Sequence, residues 1–182
     1  MKVSLFGSLP NLISLGRLLL VPAIIALIAA QRWKEAFVCF IIAGASDALD
    51  GWLAKTFDLR TKLGAYLDPL ADKALLVSIY VALAIVGAIP ATIAIIVVAR
   101  DFMIVGAFMV SWFLDRRLEV RPLVISKINT LAQILFAALV LSVEAFGLAK
   151  GAWFQLSLYA VAGLALASLG AYFSRWFRHM SA

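Results

Sequence analysis

Charged residues are scarce in this sequence, and their scarcity excludes an ordinary soluble domain. Only 14% of the 182 residues are Asp, Glu, Lys or Arg, whereas 65% are apolar. Soluble domains average about 25% charged and about 45–50% apolar residues. A chain of this size has much surface for its volume and could not hide so many apolar side chains from water. We therefore expect lipid to be part of the solvent of this protein.

Cysteine and histidine are nearly absent, and several functional motifs are missing. The single Cys39 excludes a disulfide scaffold, and the single His179 excludes any mechanism that requires a pair of phosphohistidine nucleophiles. The sequence has no Walker loop for ATP. It also has no motif that reads nucleic acid and no basic run with interleaved aromatic residues. The net charge of +6 is therefore interpreted as loop charge facing anionic lipid headgroups, and we expect no nucleic-acid partner.

Long apolar runs are abundant instead. A helix that crosses a bilayer needs about 20 mostly apolar residues. Six segments qualify: Leu12–Ala30, Glu35–Leu53, Ala65–Gly87, Ala91–Leu114, Ile125–Phe146 and Trp153–Phe173. The connections between them are short, so we predict an all-α integral membrane bundle of six transmembrane helices that forms one domain over residues 1–182. Polar residues interrupt the first segment, which is interpreted as a span and not as a cleaved signal peptide.

The distribution of Lys and Arg between the loops predicts the orientation. With the N-terminus inside, the outer loops hold only Arg32, Lys34 and Lys150. The inner side holds nine basic residues: Lys2, Lys55, Arg60, Lys62, Arg116, Arg117, Arg121, Arg175 and Arg178. Basic residues favour cytoplasmic loops. We therefore expect a multi-pass protein of the inner (cytoplasmic) membrane with both termini in the cytoplasm.

Acidic residues are concentrated in one short stretch. Nine of the 26 charged residues lie between Asp47 and Lys73. Asp47 and Asp50 are three residues apart, and Asp68 and Asp72 are four apart, so each pair would share one face of a helix. The first pair closes the second span and the other opens the third, both on the cytoplasmic side. Four carboxylates are therefore expected to converge near one membrane interface.

Carboxylates that converge cannot all ionise without cations between them. Their oxygens suit two Mg²⁺ or Mn²⁺ ions, and such a pair suits transfer at a phosphate, with one acid as base for an attacking hydroxyl. Two alternatives remain open. The acids could be solvated helix ends, with Gly51 and Gly64 only permitting close helix packing. They could instead belong to a divalent-cation transporter, although such a site would be expected nearer the bilayer midplane.

The acid spacing resembles the signature of one family. Residues Asp47 to Asp72 follow the pattern D-x2-D-G-x2-A-R-x8-G-x3-D-x3-D of the CDP-alcohol phosphatidyltransferases, with every gap correct. Seven of the eight fixed positions match. The exception is Lys55, which stands where the family usually has Arg and keeps the charge without the fork geometry. The opening from Leu9 to Arg17 also resembles that of the family.

The resemblance implies a fold and a set of site residues. It implies six transmembrane helices preceded by a short interfacial segment, a homodimer, and an active site open to the cytoplasmic interface. Asp47, Asp50, Asp68 and Asp72 would bind the metal pair, and Asp72 would also act as the general base. The first three of these acids would also line the pocket for the CDP moiety, together with Gly51, Ala54, Lys55 and Gly64. Asn11 and Arg17, in the opening, are candidate acceptor or lipid contacts.

The implied reaction is displacement of CMP from CDP-diacylglycerol by an alcohol. Two branches of the family compete: one accepts phosphatidylglycerol and forms cardiolipin, and the other accepts glycerol 3-phosphate. Arg100-Asp101 resembles the first branch, since the second more often has Arg-Glu. Ser126-Lys127-Ile128-Asn129-Thr130 also resembles the first, whereas the second tends to carry G-K-x-K-T. We therefore favour phosphatidylglycerol, with Arg100, Lys127 and Asn129 as candidate acceptor or lipid contacts.

Each of these polar residues also has a purely structural interpretation. Arg100 and Asp101 could form an ion pair that contacts no substrate. Lys127, Asn129 and Gln133 could form hydrogen bonds between helices. Arg17 could extend along the bundle to place its guanidinium at the interface.

Overall fold

The computed structural model is all-helical wherever it describes the chain. It describes the backbone of residues 5–56, 62–113 and 124–180, and the side-chain surroundings of residues 16–46, 49, 73–104, 106, 124–174 and 177. Within those ranges the chain forms six helices and no strand. The helices are α1 (Leu5–Ala29), α2 (Trp33–Thr56), α3 (Lys62–Ile85), α4 (Ala91–Phe113), α5 (Val124–Phe146) and α6 (Ala152–Met180). The predicted all-α class is confirmed.

Each predicted apolar segment corresponds to one helix, but the helices are longer at several ends. α1 begins at Leu5 and continues without interruption through the segment expected at the interface, which therefore forms the first turns of α1. α6 continues to Met180, beyond the apolar run. Backbone hydrogen bonds carry a helix past the point where its composition stops being apolar, so hydropathy alone underestimates its length.

Within the described residues, two helices satisfy the length and composition required of a membrane span. They are α5 and the part of α6 from Ala152 to Ser174, each with 23 residues. Shorter apolar stretches, Gly16–Ala29 and Lys73–Ile85, occur in α1 and α3 within the described residues. Six spans thus stay a prediction. Many large apolar side chains are exposed on the outside of the bundle, as lipid contact requires: Leu19, Ile85, Phe102, Leu135, Leu156 and Tyr159 are examples.

Three of the connections between helices are described, and two of these lie together. A residue with positive φ follows the end of a helix in each: Gln31 (57°), Gly87 (77°) and Gly147 (63°). This conformation closes a helix end and favours glycine. Nζ of Lys150, between α5 and α6, donates a hydrogen bond of 3.3 Å to the carbonyl oxygen of Ala88, between α3 and α4. We refer to this side of the bundle as the connection end.

The helices enclose one apolar core. α1 packs against α2 and α3, α4 packs against α3 and α6, and α5 packs against α2, α3 and α6. Apolar side chains from all six helices form the core, among them Ile24, Phe40, Leu83, Val97, Val140 and Phe154. Tyr80 crosses from α3 to α5, where its hydroxyl donates a hydrogen bond of 3.1 Å to the carbonyl oxygen of Gln133.

Candidate active site

The four signature acids lie on two helices, as their spacing predicts. Asp47 and Asp50 belong to α2, and Asp68 and Asp72 belong to α3. Because the backbone is continuous helix at both pairs, the members of each pair share a helix face. Their side chains lie outside the described residues, so their convergence and their metal ions stay predictions. Among the side chains that the structure does describe, there is no group of three His, Cys, Asp or Glu residues that could hold a metal.

For the other signature positions and for Asn11, the structure likewise describes the backbone but not the side chain. Gly51, Ala54 and Lys55 are part of α2, and Gly64 is part of α3. Asn11 lies in α1. The backbone of each is helical, but their side-chain surroundings lie outside the described residues. Their assignment to a CDP pocket, or to acceptor contact for Asn11, stays a prediction.

A polar cluster is buried where α3, α4, α5 and α6 meet. It consists of Lys73, Arg100, Asp101, Ser126 and Ser168, and we call it the Arg100 cluster. Ser126 lies near the start of α5 and Lys73 lies halfway along α3, whereas Arg100, Asp101 and Ser168 lie well along α4 and α6. The Lys150 hydrogen bond joins the end of α3 to the end of α5. The Arg100 cluster is therefore displaced from the connection end toward the side from which α3 and α5 begin.

Arg100 is the centre of this cluster. Its side chain is 2% exposed. Nη1 lies 2.5 Å from Oδ1 of Asp101, and Nη2 donates hydrogen bonds of 2.5 Å to Oγ of Ser126 and 2.7 Å to Oγ of Ser168. Nε has no hydrogen-bond partner in the part of the chain that the structure describes. These contacts fit the interpretation in which Arg100 pairs with Asp101 and holds helices together. Contact with an acceptor stays a prediction.

Asp101 binds a second cation through its other oxygen. Oδ2 lies 2.7 Å from Nζ of Lys73, so the carboxylate bridges a guanidinium on its own helix and an ammonium on α3. The contact is an ion pair between the two charges. The side chain of Lys73 is 40% exposed and that of Asp101 only 5%. Lys73 is therefore the open side of an otherwise buried cluster.

The sequence patterns assign no role to Lys73. Local spacing cannot pair it with Asp101, because the two residues lie on different helices and no periodicity links them. The one feature of the sequence that could have drawn attention to Lys73 is its position, because it directly follows Asp72 and ends the charge-rich stretch.

Asn129 and Gln133 lie one turn apart on the buried side of α5. Both side chains are completely buried, and among the described residues none of their four amide atoms has a hydrogen-bond partner. The expected hydrogen bonds from these amides to other helices are therefore not formed, and the interpretation is wrong for these two residues. The contact with α3 is made by the backbone of Gln133 instead. Acceptor contact by Asn129 stays a prediction.

Arg17 and Lys127 lie in opposite surroundings. Arg17 is 1% exposed, so it lies inside the bundle. The interpretation that Arg17 places its guanidinium at the membrane interface is therefore wrong. Lys127 is exposed on α5, directly after Ser126, which makes the half-buried contact with Arg100. Of these two candidate acceptor or lipid contacts, only Lys127 is open to its surroundings.

Comparison with known proteins identifies the family. The sequence model of the family described as CDP-alcohol phosphatidyltransferase matches residues 7–169 of this chain. The matched range includes both acid pairs and nearly all of the helical bundle. The chain therefore belongs to the CDP-alcohol phosphatidyltransferase family.

Similar proteins have names from both branches of the family. A rice (Oryza sativa subsp. japonica) protein named CDP-diacylglycerol–glycerol-3-phosphate 3-phosphatidyltransferase 1, chloroplastic, is 36% identical over 78% of this chain and 48% of its own length. Rat (Rattus norvegicus) cardiolipin synthase (CMP-forming) is 30% identical, over 91% of this chain and 60% of the rat protein. A Bacillus subtilis (strain 168) CDP-diacylglycerol–glycerol-3-phosphate 3-phosphatidyltransferase is 30% identical, over 92% of this chain and 94% of its own length. The chain thus spans less than two thirds of the rice and rat proteins.

Proposed function

We propose that this protein transfers a phosphatidyl group from CDP-diacylglycerol to an alcohol and releases CMP. The observation that carries the proposal is the family match over residues 7–169, together with the family's acid spacing on two consecutive helices, α2 and α3. The rice, rat and Bacillus relatives have names of CMP-forming or CDP-diacylglycerol-dependent transferases, which supports the same reaction class.

The proposed reaction is an in-line displacement at phosphorus. The acceptor hydroxyl oxygen attacks the phosphorus that carries diacylglycerol, a new P–O bond forms, and the P–O bond to CMP breaks. CMP leaves with the electron pair of that bond. The hydroxyl proton passes to the carboxylate of Asp72, which we assign as general base. This assignment rests on the family resemblance and on the place of Asp72 as the last acid of the signature.

The donor set at the signature fits hard divalent cations. Asp47, Asp50, Asp68 and Asp72 provide only carboxylate oxygens, the ligands that Mg²⁺ and Mn²⁺ prefer. We propose that these four residues hold two such ions. When bound, the ions would neutralise charge on the phosphate oxygens. In the chain itself, the two helix faces would orient the carboxylates, and Gly51 and Gly64 would allow a bulky nucleotide to approach the backbone.

Phosphatidylglycerol is the acceptor that we propose, which makes the product cardiolipin. Support comes from the resemblance at Asp101, where the other branch more often has Glu, and at Asn129, a neutral residue where the other branch tends to have a lysine. The second candidate is glycerol 3-phosphate. The Bacillus relative favours it, because the match covers nearly the whole length of both proteins and its name specifies that acceptor.

One assay distinguishes these functions. The purified protein in detergent is incubated with CDP-diacylglycerol, Mg²⁺ or Mn²⁺, and phosphatidylglycerol and glycerol 3-phosphate, offered separately and together. We expect CMP release and cardiolipin, identified by lipid mass spectrometry. Phosphatidylglycerophosphate as the product would select the second acceptor. If no acceptor releases CMP, the proposed enzyme function is wrong, and metal flux in proteoliposomes would then test the transporter alternative.

The membrane arrangement is part of the proposal. We propose six spans, an inner-membrane location with both termini cytoplasmic, and a homodimer. Two apolar helices of 23 residues and the excess of basic residues on one side support the first two of these. The dimer rests on the family resemblance alone. Accessibility of single cysteines introduced at residues 2 and 150 would test the orientation, and cross-linking in native membranes would test the dimer.

A further inference from the structure

We propose that Lys73 is a phosphate-binding residue of the active site and that Asp101 is the residue that positions it. This inference rests on the proposed function and deepens it. The ligand chemistry is that of a phosphate oxygen. Two sources are available in the proposed reaction: the diphosphate of CDP-diacylglycerol and the phosphate of the acceptor.

The charge of the Arg100 cluster is unbalanced. Arg100 and Lys73 are cations, and Asp101 is the one carboxylate that contacts them among the described residues. An uncompensated charge beside a low-dielectric region is unfavourable, so such a charge normally has a partner. The excess positive charge therefore favours an anionic ligand beside this cluster.

Lys73 is the cation to which such a ligand has access. Arg100 is enclosed, and its two Nη groups are bound to Asp101 and the two serines. The side chain of Lys73 is 40% exposed, and its ammonium group contacts Asp101 on one side. An ammonium group has three N–H donors, so donors remain for a phosphate oxygen.

The position of Lys73 in the sequence places it beside the signature. Its Cα follows that of Asp72 directly, at about 3.8 Å across one peptide unit. Both residues belong to the same continuous helix, α3. A phosphate held near the acids is therefore within the region that a lysine side chain can reach from position 73.

Asp101 determines where the ammonium group lies. One of its oxygens binds Arg100, which is itself bound to α5 and α6 through Ser126 and Ser168. The other oxygen binds Lys73. The orientation of Lys73 thus depends on contacts from three other helices, and this arrangement restricts a side chain that would otherwise have many rotamers. Asp101 acts on the substrate only through Lys73.

The test uses Lys73→Met, which removes the charge and keeps the length of the side chain, and Lys73→Arg, which keeps the charge. Lys150→Met is the matched control. Lys150 is also ion-paired, with Nζ 2.5 Å from Oε1 of Glu144, and it is 38% exposed, but it lies at the connection end. KM and kcat are measured with CDP-diacylglycerol and acceptor varied in turn, after each variant is checked for folding by size-exclusion chromatography.

We expect Lys73→Met to raise KM for one substrate about 10- to 100-fold, as the loss of one charge-assisted contact would. The substrate whose KM rises identifies the source of the phosphate. Lys73→Arg should restore most of the affinity, and Lys150→Met should leave both KM values unchanged. Asp101→Asn should raise the same KM, and it should add nothing further when introduced into Lys73→Met.

Several results would overturn the inference. Unchanged KM values in folded Lys73→Met would exclude phosphate binding by Lys73. A further rise of KM when Asp101→Asn is added would show that Asp101 does not act through Lys73. If the wild-type protein releases no CMP, the proposed function fails separately. Binding of vesicles that contain CDP-diacylglycerol, and separately of vesicles that contain phosphatidylglycerol, followed by thermal shift, then tests Lys73, and equal binding of both lipids by wild type and Lys73→Met would exclude its role. If Lys73→Met does not fold, the same measurements are made on Lys73→Gln.

Discussion

Arg100 and Ser168 are joined by a hydrogen bond between α4 and α6. Nη2 of Arg100 donates to Oγ of Ser168 at 2.7 Å, and both side chains are buried. The two residues are 68 positions apart in the chain. In the membrane bundle that we propose, contact between apolar surfaces drives helix association weakly, so polar contacts and close packing would hold the helices together. Arg100 therefore has a structural role whichever substrate the protein uses.

Removal of Arg100 should destabilise the bundle. Arg100→Ala leaves Asp101 without its guanidinium partner and removes one hydrogen bond from each of the two serines. We expect a loss of about 3–5 kcal/mol, the usual cost of breaking a buried ion pair by removing one partner. Thermal unfolding in detergent is the measurement. Arg32→Ala is the control, because Arg32 pairs with Glu35 on the exposed surface and should change stability little. Equal effects of the two variants would contradict the assignment.

Ser168→Ala should have a smaller effect of the same sign. It removes one hydrogen bond to a charged group and leaves the bonds from Arg100 to Asp101 and Ser126. We expect a loss of about 1–2 kcal/mol in thermal unfolding. Ser157→Ala, on the same helix, is the matched control, because its hydroxyl bonds only to the carbonyl oxygen of Phe154 within α6. If Ser157→Ala is the more harmful substitution, the bond between helices is unimportant.

Gln133→Leu should stabilise the protein. Both amide atoms of Gln133 are buried without a partner, which costs about 1–3 kcal/mol relative to an apolar group of similar shape. The backbone carbonyl that accepts the Tyr80 hydroxyl is unaffected by the substitution. A higher unfolding temperature is therefore expected. Tyr80→Phe is the companion variant and should lower the unfolding temperature slightly. A decrease with Gln133→Leu would show that a bound molecule uses the amide.

Asp68→Asn and Asp72→Asn should each abolish most activity without unfolding the protein. Asn keeps the size of the side chain but lacks the charge that a metal ligand or general base needs. For the base, we expect kcat to fall about 10²- to 10⁴-fold. CMP release is the measurement, with thermal unfolding to confirm folding. Glu144→Gln is the control, since this acid lies near the connection end and pairs with Lys150. If both Asn variants kept most activity, the roles given to these acids would be wrong.

Removal of divalent metal should abolish CMP release reversibly. Treatment with EDTA is expected to stop the reaction, and added Mg²⁺ or Mn²⁺ should restore it, because four carboxylates near one interface need cations between them. Ca²⁺, which has a larger and less rigid coordination shell, provides a comparison. Full activity after exhaustive chelation would contradict the proposed metal site.

Much of the helical architecture could be predicted from the sequence. The bilayer demands long apolar runs, and each of the six runs corresponds to a helix. The spacing of Asp47 with Asp50 and of Asp68 with Asp72 is sufficient by itself to predict that each pair shares one helix face. The ends were predicted less well: α1 begins at Leu5, seven residues before the run that predicts it. Composition sets where a helix meets lipid, whereas backbone hydrogen bonding sets where it ends.

The sequence by itself determined the class of the protein, its helices and its family. Only the tertiary structure decided which polar side chains meet. It pairs Lys73 with Asp101 from different helices, and it buries Asn129 while leaving Lys127 exposed two positions earlier. Local periodicity reports on one helix at a time. Contacts between helices depend on the rotation and depth of each helix against its neighbours, and these are determined by the packing of the whole bundle.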